Sequence, residues 1–164
     1  MAVATRPAAK DARANEFLSQ TRKMLINGKW VESASGRTFA TCNPADGEEL
    51  CQVAEGDKED INRAVKAARK AFEEGPWSKT TPNVRSKMIW KLSELMEKHA
   101  QTLAELECLD NGKALTIARA VDVAGSIEQF QYMAGWATKI DGRTMNLSSP
   151  GFHAFTRREA VGVV

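Results

Sequence analysis

The sequence predicts an α/β fold: a small antiparallel meander, a helical layer, a β hairpin, and the first residues of a parallel-sheet strand. Three observations carry this. Turn-bounded β runs fill residues 24–54, apolar residues recur at helical spacing over residues 57–139, and the chain closes on Glu159-Ala160-Val161-Gly162-Val163-Val164. That closing run is rich in β-branched residues and has no turn signal after it. A strand so apolar needs a partner strand and a covering face. The expectation is that these 164 residues are the front part of a larger protein, which can identify the parent without containing its chemistry.

Residues 1–23 read as a flexible tail. Arg6, Lys10, Arg13, Arg22 and Lys23 against Asp11 and Glu16 leave a transit-peptide reading beside it. Met24 to Val31 is a hairpin, because Asn27-Gly28 suits a type I′ turn whose two central residues need positive φ. Thr38 to Cys42 is a strand ended by Asn43-Pro44. Asp46-Gly47 turns the chain, and Leu50 to Ala54 alternates as the return strand.

Helices follow. Asp57 caps the first, with Asp60 three positions on in a capping-box arrangement, and Ile61, Ala64, Val65, Ala68 and Phe72 form its stripe up to Gly75-Pro76. Thr81-Pro82 starts the second, a cap followed by proline at the first helical position, with Ile89, Leu92, Leu95, Met96 and His99 on the buried face. Leu103, Leu106 and Leu109 mark a third, ending at Asn111-Gly112. A longer helical stretch runs from Lys113 to Lys139, broken near Ala118–Val121, with Val123, Ile127, Phe130 and Ala134 as its stripe. Gly125 and Gly135 inside it each cost about 1 kcal/mol against alanine, which is tolerable where a backbone or ligand comes close. Asp141-Gly142 turns into two strands, Arg143 to Leu147 and Phe152 to Arg158. Aromatic residues on both faces of this hairpin predict cover on both sides, as a second subunit would give.

Composition narrows the function. Basic and acidic residues number 23 and 21 and are well mixed, so no basic stripe points to nucleic acid. No apolar run is long enough for a membrane helix. Cys42, Cys51 and Cys108 are scattered and odd in number, which argues against a disulfide framework or zinc site and fits a reducing compartment. Each reads as structural; Cys108 lies beside Glu107, whose charge disfavours a thiolate. His99 sits at a helix end, where its charged form would favour the dipole, and His153 reads as a surface or interface residue.

Several phrases, in order and at matching spacing over residues 24–164, resemble the N-terminal part of the NAD(P)-dependent aldehyde dehydrogenases. They are Ile26 to Trp30, Thr41 to Pro44 with Asp46-Gly47-Glu48, Val53 to Asp57, Ala64 to Phe72, Pro76-Trp77-Ser78, Leu109 to Lys113, Tyr132 to Ala137, and Arg158 to Val164. Ala160 and Ala114 stand where that family usually or often has proline. The resemblance implies the N-terminal part of a Rossmann-like cofactor domain over 24–139, an oligomerisation arm over 140–159 that makes a homo-oligomer, and the first residues of a parallel-sheet strand, truncated, over 160–164. It implies an aldehyde as substrate, NAD or NADP as cofactor, and a cysteine thiolate that attacks the carbonyl to give a thiohemiacetal. An asparagine of a Pro-Trp-Asn motif would stabilise the oxyanion, and a glutamate would activate water. No residue here matches these groups or the cofactor-binding glycines, so the segment is expected to be inactive alone.

By the same resemblance, Asp110 with backbone oxygen of the Thr41-Cys42 segment would help bind a monovalent cation. The plainer reading of Asp110 is hydrogen bonding at a helix end. Val121 and Gly125 would border the substrate tunnel, with room for a bulky or aromatic aldehyde; helix packing explains Gly125 equally. Lys113 and Arg119 read as solvated. The implied compartment is the cytoplasm, or else the mitochondrial matrix. The rival function is a non-catalytic short product acting only as an oligomerisation partner.

Overall fold

The computed structural model describes residues 9–164, and its first element is a helix, α1 (Ala12–Leu18), inside the stretch expected to be a flexible tail. The part of that expectation covering residues 1–8 lies outside the described residues. The helix forms because polar anchors, invisible to periodicity, tie it down. Asp11 caps it, Oδ1 accepting the N–H groups of Arg13 at 2.9 Å and Ala14 at 3.1 Å. The same oxygen accepts from Thr102 Oγ1 at 3.0 Å, and the Asp11 N–H donates to Glu105 Oε2 at 2.8 Å. The Ala14 N–H is the main reason the Asp11 carboxyl titrates below its ordinary range; desolvation opposes this, and Thr102 and Arg13 add to it. Leu18 packs with Leu50 and Cys51, ringed by Val53, Leu106 and Leu109.

The expected meander resolves into two separate antiparallel ladders. β1 (Met24–Ile26) pairs with β2 (Lys29–Val31) across Asn27 at φ 53° and Gly28 at φ 71°, as the type I′ turn requires. β3 (Thr38–Cys42) pairs with β4 (Glu49–Ala54), with a bulge between Thr41 and Cys42. Arg22 joins the two ladders. Its N–H donates to Gln52 O at 2.7 Å and its carbonyl accepts from the Ala54 N–H at 2.9 Å, an isolated parallel bridge.

The capping box that starts α2 (Lys58–Glu74) is present, Asp57 accepting the Glu59 N–H at 2.9 Å and donating its own N–H to Asp60 Oδ2 at 3.2 Å. Thr81 caps α3 (Pro82–Lys98) with proline at its first turn. Here the buried face differs from the expected one. Ser93 is fully buried, while Leu92 and Leu95 are exposed. The reason is close helix packing: α3 lies against α6 (Ala124–Trp136), whose own fully buried residue is Ala134, and small side chains let the helices approach. His99 links α3 to α4 (Ala100–Asn111); its Nδ1 accepts from Arg13 Nη1 at 2.7 Å, so its role is to hold α1 rather than to meet the helix dipole. Gly112, at φ 75°, ends α4 in the left-handed cap.

The predicted break near Ala118–Val121 appears as a π-helical segment over Ala118–Val123, between the short α5 (Leu115–Ile117) and α6. Ala118 and Val123 are buried with Ala104, against Leu103, Leu115 and Ile127. The terminal hairpin is shorter than expected: β5 (Thr144–Met145) and β6 (Ala154–Phe155) carry two residues each. Residues 156–164 form no strand, since a ladder needs a neighbour and the described residues offer none there. Among the described residues no helix is long and apolar enough to cross a membrane.

The chain exposes 12357 Å², where a compact monomer of this length exposes about 8,000 Å². The excess is partly apolar. Ile61, Val65 and Phe72 leave the α2 stripe open, and Phe152 and Phe155 do the same for the hairpin. Such surface marks an interaction face.

Candidate functional site

Two places gather the residues that the sequence singles out. At the first, the bulge between Thr41 and Cys42 brings β3 beside the last turn of α4. Thr41 Oγ1 donates to Asp110 Oδ1 at 3.2 Å. The Asp110 side chain therefore reaches across to β3. Cys42 follows at the bulge with its side chain exposed. A carboxylate and a hydroxyl oxygen are the donor types that a hard cation takes. Among the described residues, no group of three or more His, Cys, Asp or Glu is placed to hold a metal ion.

The second place is a cavity of about 660 Å³ between α3, α4, the π segment and α6. Val121 and Gly125 both line it, with Met96, Leu103 and Phe130 supplying apolar wall. The extra residue of the π segment turns Val121 outward, 57% exposed, while its second neighbour Val123 stays buried. A Cβ at Gly125 would meet no described atom within 4 Å.

Three charged residues that the sequence does not flag as a group meet at this cavity. Glu107 and Asp122 line it. Lys113 donates to Asp122 Oδ2 at 2.6 Å and lies 3.8 Å from Glu107 Oε1. Its side chain is one-third exposed, so it is not simply solvated as expected. The Asp122 hydrogen bond raises the Lys113 ammonium above its ordinary range, desolvation opposes that, and the charges of Asp122 and Glu107 add to it. Arg119 donates instead to Gln101 Oε1 at 2.5 Å. The signal for this cluster is weak because Lys113 lies in the loop after α4 and Asp122 in the π segment, so no helical spacing relates them.

Cys42 is exposed, Cys51 buried and Cys108 half-buried; Cys51 lines a separate cavity of about 490 Å³ with Glu107 and Asp110. Among the described residues the sheets are two-stranded antiparallel ladders, and the isolated parallel contact is the bridge at Arg22.

The sequence model of the aldehyde dehydrogenase family matches residues 30–164, and the chain belongs to that family. It is 47% identical to aldehyde dehydrogenase 1A1 of Gallus gallus, over 86% of this chain and 28% of the relative. It is also 47% identical to the mitochondrial benzaldehyde dehydrogenase of Antirrhinum majus, over 88% of this chain and 27% of the relative. An NAD+ complex of an aldehyde dehydrogenase from Bacillus cereus superposes with a TM-score of 0.88 at 44% identity, covering 92% of this chain and 30% of that one. The chain thus spans under a third of its relatives, and its α/β fold is that of the family's N-terminal part.

Proposed function

We propose that this chain is the N-terminal scaffold of an NAD(P)-dependent aldehyde dehydrogenase that oxidises a bulky or aromatic aldehyde to the carboxylic acid through a cysteine thiohemiacetal. By itself the chain is inactive. The observation that carries this reading is the cavity with Val121 and Gly125 on one wall. An apolar space of this size with a few polar groups is what a small-molecule site requires. The NAD+ complex of the Bacillus cereus relative supports the cofactor, and the benzaldehyde dehydrogenase relative supports the aromatic substrate. The cofactor and the reacting cysteine belong to parts of the enzyme outside this chain, so this chain's contribution is to bind and orient the aldehyde.

Thr41, Cys42 and Asp110 form part of a monovalent-cation site, Asp110 giving carboxylate oxygen and the Thr41-Cys42 segment backbone oxygen; the Thr41–Asp110 hydrogen bond supports this by holding that segment beside Asp110. Residues 24–139 belong to the cofactor domain, 140–159 to an arm that pairs with a second subunit, and 160–164 to a strand completed by the rest of the sheet. The open aromatic faces of the hairpin favour the arm. The compartment is the cytoplasm or the mitochondrial matrix. A purely non-catalytic oligomerisation role would account for the hairpin but not for the cavity.

The test is Gly125→Phe in the complete enzyme. A Cβ there meets no described atom within 4 Å, and a thermal melt of the variant checks that it folds. Turnover of benzaldehyde should fall by about 10-fold or more in kcat/KM, while acetaldehyde stays within about twofold. Equal effects on both aldehydes would remove the cavity from the substrate's path.

A further inference from the structure

We infer that Lys113 is a positioning residue that decides which aldehydes the Val121–Gly125 cavity admits, an inference that rests on the cavity's being the substrate's path. The geometry pins the π segment from two sides. On its inner side, Ala118 and Val123 are buried against Leu103 and Ala104. On its cavity side, Asp122 is held by Lys113 Nζ at 2.6 Å. Val121, the exposed wall residue, lies directly between these restraints in sequence.

Two physical effects follow. A π segment is rare and is found mostly as a single turn at functional sites. Without the Lys113 bond the segment is freer to shift toward α spacing, which changes the direction in which Val121 meets the wall. The second effect is electrostatic. Glu107 and Asp122 both line a cavity whose other walls include Met96, Leu103 and Phe130. The single charge of Lys113 offsets one of the two carboxylate charges, bonding Asp122 at 2.6 Å and lying 3.8 Å from Glu107. Without it, the doubly negative pair would keep more water in the cavity and oppose entry of an apolar aldehyde. Lys113 directly follows the left-handed Gly112 cap.

The experiment is steady-state kinetics of the complete enzyme with benzaldehyde and with acetaldehyde. Lys113→Met should raise KM for benzaldehyde by about 10-fold with kcat within twofold, and leave acetaldehyde unchanged. Lys113→Arg, which keeps the charge, should recover most of the difference. If Lys113→Met fails to fold, Asp122→Asn weakens the same bond with a side chain of the same shape, and the same split is expected. A merely structural lysine would lower thermal stability and affect both aldehydes alike; that result, or no change in either KM, overturns the inference. Gly125→Phe separates the two claims. If it discriminates between the aldehydes and Lys113→Met does not, the cavity stands and the role of Lys113 falls. If Gly125→Phe does not discriminate, the cavity reading fails and the inference falls with it.

Discussion

Asp60→Ala is expected to destabilise the start of α2 by about 3 kcal/mol. The Asp60 side chain is 1% exposed. Its two oxygens accept the Ala34 N–H at 3.1 Å each, Oδ2 accepts the Asp57 N–H at 3.2 Å, and Oδ1 accepts from Arg63 Nη1 at 3.0 Å. Truncation removes the acceptor for two backbone amides at once, and an amide left unsatisfied in the interior costs about 1–3 kcal/mol. The Arg63 side chain is 41% exposed and can turn to water, so no buried charge is stranded. The effect therefore stays below that of breaking a fully buried ion pair. Native-state hydrogen exchange should show Ala34 and Asp57 losing protection together, because the carboxylate is what ties the 33–36 loop to the helix. Unchanged exchange at both amides would show that other contacts hold the junction.

Gly142→Ala should open the hairpin. A Cβ at this position would lie 1.7 Å from Thr156 O and 2.7 Å from Thr156 C. These are backbone atoms, so the two strands must part to admit it. The ladder has no reserve to absorb this. It comprises Thr144 with Phe155 and Met145 with Ala154, flanked by Thr156 N–H to Arg143 O at 2.8 Å and Arg143 N–H to Thr156 Oγ1 at 2.9 Å. Two-stranded ladders are marginal in water even when longer. If residues 140–159 pair with a second subunit, light scattering on the complete enzyme should show the variant weakened in assembly by at least about 10-fold, which is about 1.4 kcal/mol. Gly125→Ala, where a Cβ meets nothing within 4 Å, is the control and should assemble normally.

The sequence was informative wherever one residue type has one physical use. Asn27-Gly28 announced its turn, Asp57 and Asp60 their box, Thr81-Pro82 a helix start, and Gly112 a left-handed stop. It was uninformative where tertiary contacts chose the outcome. Helix α1 depends on Thr102 and Glu105, over ninety positions away, and no local pattern can show that. The α3 stripe misled because its leucines read as core, while close packing on α6 puts Ser93 inside. The candidate site divides in the same way. Val121 and Gly125 were legible through resemblance, but the Lys113 cluster spans a helix cap and a π segment, where helical spacing does not apply.

The central claim is that this chain shapes the aldehyde's path but has no place for the oxidant or the reacting thiolate. The most direct test titrates NAD into the purified chain 1–164 in the presence of benzaldehyde, following both cofactor binding and NADH. The account predicts neither, together with a loosely packed or aggregating species, since the open faces of α2 and the hairpin lack their cover. Saturable NAD binding to a cooperatively folded monomer, or any NADH formed, would contradict it.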